Sequence, residues 1–199
     1  MPRAANRRAR PHLEGYLPER AYQHSVKEHL DRIYGEVKEQ WQPFVGERRE
    51  IYRPVIDMAV GPFATRQKFG QRYTELMNET RPFIERLVDM HNGNVGALQE
   101  HIDFESLVEF NENARCLLCI EIEETGHRKH CLGNLVNASA LGRIGILVAR
   151  TSVVLGTFRK QRAYFQFLAD VGKNTFRTAN ALILSAEQFD ECLARGMGD

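Results

Sequence analysis

Two carboxylates inside an apolar run are the residues with the clearest chemical potential. In "CLLCIEIEE" (116–124), Glu121 and Glu123 stand two apart. On an extended strand, residues at that spacing project from one face, roughly 6 to 7 Å from each other. Cys119 falls on the same face, while Cys116, Leu118, Ile120 and Ile122 form the opposite set and read as core. Two acids this close repel, which raises the pKa of one or both unless a cation or a donor lies between them. A hard divalent cation with oxygen ligands relieves that repulsion. A third acid, Asp57, interrupts the apolar stretch "PVIDMAV" (54–60). Buried alone it would cost several kcal/mol, so it needs a partner, a metal or water. On neighbouring strands, Asp57, Glu121 and Glu123 would form a three-carboxylate Mg²⁺ site. The bland alternatives are a strand that stops near residue 122, leaving Glu123 and Glu124 in water, and an Asp57 that caps the turn at Gly61.

Those residues must be positioned by regular elements, and the periodicity supplies them. Tyr22, Val26, Leu30, Ile33, Tyr34, Val37 and Trp41 recur at steps of three and four, which predicts an amphipathic helix over 21–41. "YRPVIDMAVG" (52–61) predicts a short strand closed by Gly61 and Pro62. A helix over about 64–90 follows, with an interruption expected at Pro82, then a loop at "HNGNVG" and a weaker helix over 104–111. A strand over 115–123 leads through "ETGHRKH" into the helix "RKHCLGNLVNASALG", ended by Gly142, and into a further strand, "RIGILVA". Strand, helix, strand implies a parallel pair and an α/β sheet. The remainder predicts a basic aromatic helix over 158–170, a strand over 181–185 and a terminal helix.

Charge is segregated although the net value is only +1. Residues 99–124 carry eight acids against Arg115, and residues 125–178 carry nine bases against Asp170. An acidic cluster beside a basic half suits a protein that holds a divalent metal and binds a polyanion, although a short chain can also segregate its charge by chance. With 199 residues and ordinary apolar content, one domain over 21–199 is expected. Before it, Arg3, Arg7, Arg8 and Arg10 in residues 1–20 suggest a flexible basic tail. No apolar run is long enough to cross a bilayer and no secretory signal is evident, so the expected location is cytoplasmic, with the four cysteines reduced.

The order of helix, strand with Asp57, strand with the Glu121-x-Glu123 pair, helix with basic residues and final strand resembles the PD-(D/E)XK nuclease superfamily. The resemblance rests on "PVID" (54–57) and on residues 121–149. It implies a restriction-endonuclease-like fold, a central mixed sheet flanked by helices, and a Mg²⁺-dependent endonuclease for which Mn²⁺ is an alternative ion. Asp57 and Glu121 would bind the metal, and Glu123 occupies the place usually held by lysine. Lys129 or His130 would then supply the missing positive charge. Arg128, His130, Arg159, Lys160 and Arg162, with Tyr164, would grip nucleic acid, expected to be double-stranded DNA, and a homodimer is compatible with this reading. The long interval between Asp57 and Glu121 requires a helical insertion between the first two core strands. Because lysine is absent at position 123, a catalytically silent relative that binds nucleic acid or a protein partner is the alternative. Cys116, Cys119, His127 and His130 offer a competing zinc reading, against which the spacing and the strand parity both count.

Overall fold

The computed structural model describes residues 17–47, 50–97, 99–173 and 176–198. In these the chain runs α1 (Glu19–Tyr34), β1 (Val37–Trp41), β2 (Ile56–Val60), α2 (Gly70–Glu79), α3 (Arg81–Val95), α4 (Phe104–Glu109) and β3 (Cys116–Glu123). It continues through α5 (Arg128–Leu141), β4 (Gly142–Ala149), α6 (Ser152–Asp170), β5 (Ala181–Ser185) and α7 (Ala186–Arg195). The expected basic tail residues Arg3 to Arg10 lie outside the described residues, and α1 already includes Glu19 and Arg20, which the sequence had assigned to that tail.

Three elements differ from expectation. The first helix does not reach Trp41: Gly35 adopts φ 74° and its N–H bonds to Asp31 O, so a left-handed residue closes α1 and frees 37–41 to become a strand. The stretch "HNGNVG" is helical as far as Val95, because buried His91 and Val95 continue the inward stripe of α3. The basic aromatic helix begins at Ser152, capped by Thr151, whose hydroxyl accepts from the Val154 N–H. The break expected at Pro82 does occur: α2 ends at Glu79 and α3 restarts at Arg81, with Pro82 in its first turn.

The strands form one mixed sheet in the order β1-β2-β3-β4-β5. Pairs β1/β2 and β2/β3 are antiparallel, whereas β3/β4 and β4/β5 are parallel. The α/β sheet and its parallel pair are therefore as read from the sequence. Helices α2, α3 and α4 form the insertion before β3, but β1 precedes it, so the insertion separates the second and third strands.

Each face of the sheet is covered. Met58, Val60, Leu118, Ile120, Ile122, Ile144, Ile146, Leu182 and Leu184 pack with Val26 and Leu30 of α1, with α2 to α4, and with Phe189 of α7. On the other face, Ala59, Cys119, Leu147 and Ile183 meet Cys131, Leu135 and Ala138 of α5 and Val154 and Phe158 of α6. Cys116 belongs to this second set, contrary to the expected alternation, and Leu117 to the first. The pattern of β3 therefore shifts by one residue near its start.

Helix α5 lies very close to β4 at Gly145, where a Cβ would sit 2.8 Å from the carbonyl carbon and oxygen of Ala138. Backbone cannot yield there as a flexible side chain could. Gly145→Ala should therefore cost about 1–3 kcal/mol, read as a lower urea midpoint at unchanged slope.

Candidate functional site

Strand β3 is buried along its whole length and held by β4 up to the pair Glu123↔Ala149. On its other side, the ladder with β2 runs only from Val60↔Leu118 to Met58↔Ile120. At the next position the strands stop pairing through their main chains. Asp57 Oδ2 instead accepts the Ile122 N–H at 2.8 Å, and Glu121 Oε2 accepts the Asp57 N–H at 3.4 Å. The two acids thus replace the main-chain ladder where β2 and β3 part. Strand β1 is disturbed at the same level: Gln40 has φ 48°, and its amide donates to Asp57 Oδ1 at 3.4 Å. A non-glycine residue in the left-handed region next to an active-site candidate is a common way to re-aim a side chain. Ile56 and Met58, although two apart, pack on different faces, as a turn of β2 about Asp57 requires.

The carboxylates open into a cleft of about 450 Å³ bounded by Asp57, Glu121, Glu123 and the face of α5 carrying His130, Asn134 and Asn137. The spacing of those three residues, four and then three, keeps them on one side of the helix. Lys129 also lines the cleft, and Tyr52 and Val55 form part of its outer wall. Asp57, Glu121, Glu123, Lys129 and His130 are therefore brought together as expected. Arg128 is exposed at the start of α5 but is not among the lining residues, and neither are the exposed Arg159 and Lys160 of α6.

Arg162 requires a correction. It is 2% exposed, and its guanidinium donates to Gln99 Oε1 and Glu100 O, so it is not presented to a nucleic-acid backbone. The zinc grouping is not assembled either. Cys116 and Cys119 donate weakly to Leu141 O and Asn137 O near the end of α5, whereas His127 and His130 lie at its start. At 1.5 Å per residue, the span from His130 to Leu141 is roughly 16 Å.

Electrostatics single out the central pair. Glu121 is 3% exposed and its partners are long: Asn137 Nδ2 donates at 3.3 Å, besides the Asp57 N–H. Burial and then the neighbouring Asp57 charge push its pKa up to about 8. Burial also pushes Asp57 up to about 6, against the opposing Ile122 N–H, with Glu19 adding repulsion. Gln23 of α1 donates to Asp57 Oδ1 at 3.2 Å. Glu123 differs, because Thr125 N–H and Thr125 Oγ1 both donate to its Oε1, at 2.7 and 2.6 Å.

Among the described residues, no group of three or more His, Cys, Asp and Glu side chains is arranged to hold a metal ion as it stands. The three-carboxylate cage is thus reduced to a pair, with one oxygen of Glu123 already committed to Thr125. The pair nevertheless fits Mg²⁺. That ion is commonly held by one or two carboxylates, with water and substrate phosphate completing its shell, and a cation would offset the repulsion between Asp57 and Glu121.

Sequence reasoning missed Glu19, which lines the cleft from the first turn of α1. The Pro18-Glu19 start of a helix was the available signal for Glu19. Asn137, Gln23 and Gln40 carry no signal in sequence, because only the fold brings their amides to the acids.

No family model matches the chain, and no curated protein or solved structure matches it significantly.

The raised pKa values fix how stability depends on pH. With folded values above the ordinary carboxylate range, the native state binds more protons than the unfolded chain between about pH 4 and 8. Stability is therefore full at low pH, as far as these groups contribute, and falls as pH rises through about 6 and then 8. In metal-free buffer, the loss between pH 5 and 8.5 should be on the order of a few kcal/mol by urea denaturation. Glu121→Gln should remove most of that slope and raise stability at pH 8.

Proposed function

We propose that the chain is a Mg²⁺-dependent nuclease that hydrolyses phosphodiester bonds of DNA on a restriction-endonuclease-like fold. The observation that carries this reading is the buried pair Asp57 and Glu121 at the parting of β2 and β3, with only weak donors to Glu121 and an open cleft before it. The order of α1, β2, β3, α5 and β4 supports it, since it follows the helix, strand, strand, helix, strand sequence on which the resemblance was drawn.

Asp57 and Glu121 would hold the ion, and the Ile122 N–H, Gln23, Gln40 and Asn137 fix the orientation of the two carboxylates. Bound Mg²⁺ would supply polarisation of a phosphate oxygen and a lowered pKa for water. Glu123, anchored through Oε1 by Thr125, keeps Oε2 for receiving a proton from the attacking water. Lys129, on the cleft wall, would place its ammonium against the phosphate, where positive charge opposes the negative charge that develops. His130 lines the same wall and offers a second contact to the backbone.

The two hydrogen bonds that Thr125 donates to Glu123 and the exposed position of Lys129 favour one second reading, a silent relative that binds DNA without cutting it. Incubation with plasmid and Mg²⁺ or Mn²⁺ separates the two. Nicking or linearisation that EDTA stops and that Glu121→Gln reduces by on the order of 100-fold or more, with the variant at least as stable as the parent, is the expected result. Retardation of DNA without cleavage would support the silent protein instead.

Lys129→Ala resolves the role of the helix cation. As a charge-stabilising group it should lower turnover on the order of 100-fold at saturating DNA. As a phosphate anchor it would leave turnover unchanged, weaken binding and reduce the salt slope by about one.

A further inference from the structure

A second cavity, of about 560 Å³, lies between α4, the C-terminal half of α6 and the segment leading into β5. It is remote from the carboxylate cleft and shares no lining residue with it. Its floor includes Arg162, and Phe110, Phe165, Gln166 and Arg177 contribute to its walls.

Arg162 is an unusual floor for a cavity. A buried guanidinium is ordinarily matched by a carboxylate, since removing the charge from water without a counterion is costly. Here, among the described residues, the two terminal nitrogens donate to neutral oxygens, Gln99 Oε1 at 3.3 Å and Glu100 O at 3.1 Å, and the Glu100 carboxylate acts on the charge without bonding to it. Its Nε has no hydrogen-bond partner among the described residues. The charge of Arg162 is felt by one buried neighbour. His91, on α3, accepts the Ile183 N–H through Nδ1 and so carries its hydrogen on Nε2, which also has no acceptor among the described residues. Burial first, and then the charge of Arg162, hold His91 neutral with its pKa pushed down to about 3.

The carboxylates of Glu100, Glu109 and Asp170 border the same cavity, but all three residues are exposed, as is Arg177. Charges in water are screened, whereas one beneath the surface is not, so the floor dominates the field inside. The lining is mostly polar, and the phenyl rings of Phe110 and Phe165 add apolar surface beside that charge.

We propose that this cavity is a second ligand site, which takes a small molecule through a phosphate or carboxylate group placed against Arg162, with Arg177 closing over it from the rim. The site is independent of the nuclease reading and would stand if the carboxylate cleft proved silent.

Gln166 gives a direct test, because it lines the cavity one helical turn beyond Arg162 and its Oε1 accepts the Glu100 N–H at 3.2 Å. Gln166→Glu keeps that acceptor and adds a carboxylate in place of the ligand's. Thermal unfolding of the full chain would be followed, without metal or nucleic acid, in sodium phosphate, sodium succinate and sodium chloride at equal ionic strength. Relative to chloride, the midpoint of the parent should rise by about 4 to 7 °C at an anion concentration about 20-fold above Kd. Gln166→Glu should unfold at a higher temperature in chloride and lose the response, while Lys129→Ala in the other cleft should retain it. A rise with phosphate alone assigns a phosphate-bearing ligand, and a rise with succinate alone a carboxylate-bearing one. Equal midpoints in all three salts, or a response lost in Lys129→Ala and kept in Gln166→Glu, would overturn the proposal.

Discussion

The burial of Glu121 beside Asp57 is the constraint around which the rest of the structure is arranged. Water would ordinarily screen two acids this close, but β3 is covered from end to end and little water reaches its carboxylate. The surroundings respond with donors rather than with a basic partner. The Ile122 N–H, Gln23 and Gln40 serve Asp57, and Asn137 serves Glu121. Neutral donors orient an anion without cancelling it, so the pair stays electrostatically short of a cation. That deficit is what gives the cleft its chemical direction.

The sheet makes this arrangement tolerable by being asymmetric about β3. On the β4 side the parallel ladder holds the strand as far as Glu123, and close packing of α5 at Gly145 keeps the helix against it. On the β2 side the pairing stops at Met58 and Ile120, and side-chain oxygens take over from carbonyls. Rigidity on one side and parting on the other place charged groups on firm strands with open space before them. A site on such elements holds its geometry better than one built on loops. Helix α5 completes the wall because its turn from β3 returns it antiparallel across the same strands, bringing its N-terminal residues over the end of β3 that carries Glu121 and Glu123.

Much of this was legible because strands and helices leave different marks. The apolar runs around Asp57 and Glu121, the punctuation at Gly142 and the break near Pro82 identified β2, β3, α5 and the α2/α3 junction. Strand β1 was not legible, because Val37 and Trp41 also continue the helical period of α1, and one glycine in a left-handed conformation decides between the two. The alternation of β3 failed at Cys116 for a similar reason: a one-residue shift in the pattern near the strand start leaves no trace in composition. Arg162 was misread because basic residues on an amphipathic helix look alike in sequence, and only packing against Gln99 and Glu100 buries one of them.

By itself, then, the sequence determined which residues have unusual chemistry: acids inside strands, bases at the start of a helix and the strand-helix-strand unit that links them. Those features are local, and local periodicity and burial preference express them directly. Tertiary structure alone decided which acids meet. Asp57 and Glu121 are 64 residues apart along the chain and become neighbours through the antiparallel pairing of β2 with β3 across three inserted helices. It also decided that Thr125 would engage Glu123, that Glu19 would join from α1, and that a guanidinium would be sealed beneath a second cavity. Proximity between distant segments depends on how the whole core packs, and no short stretch of residues carries that information.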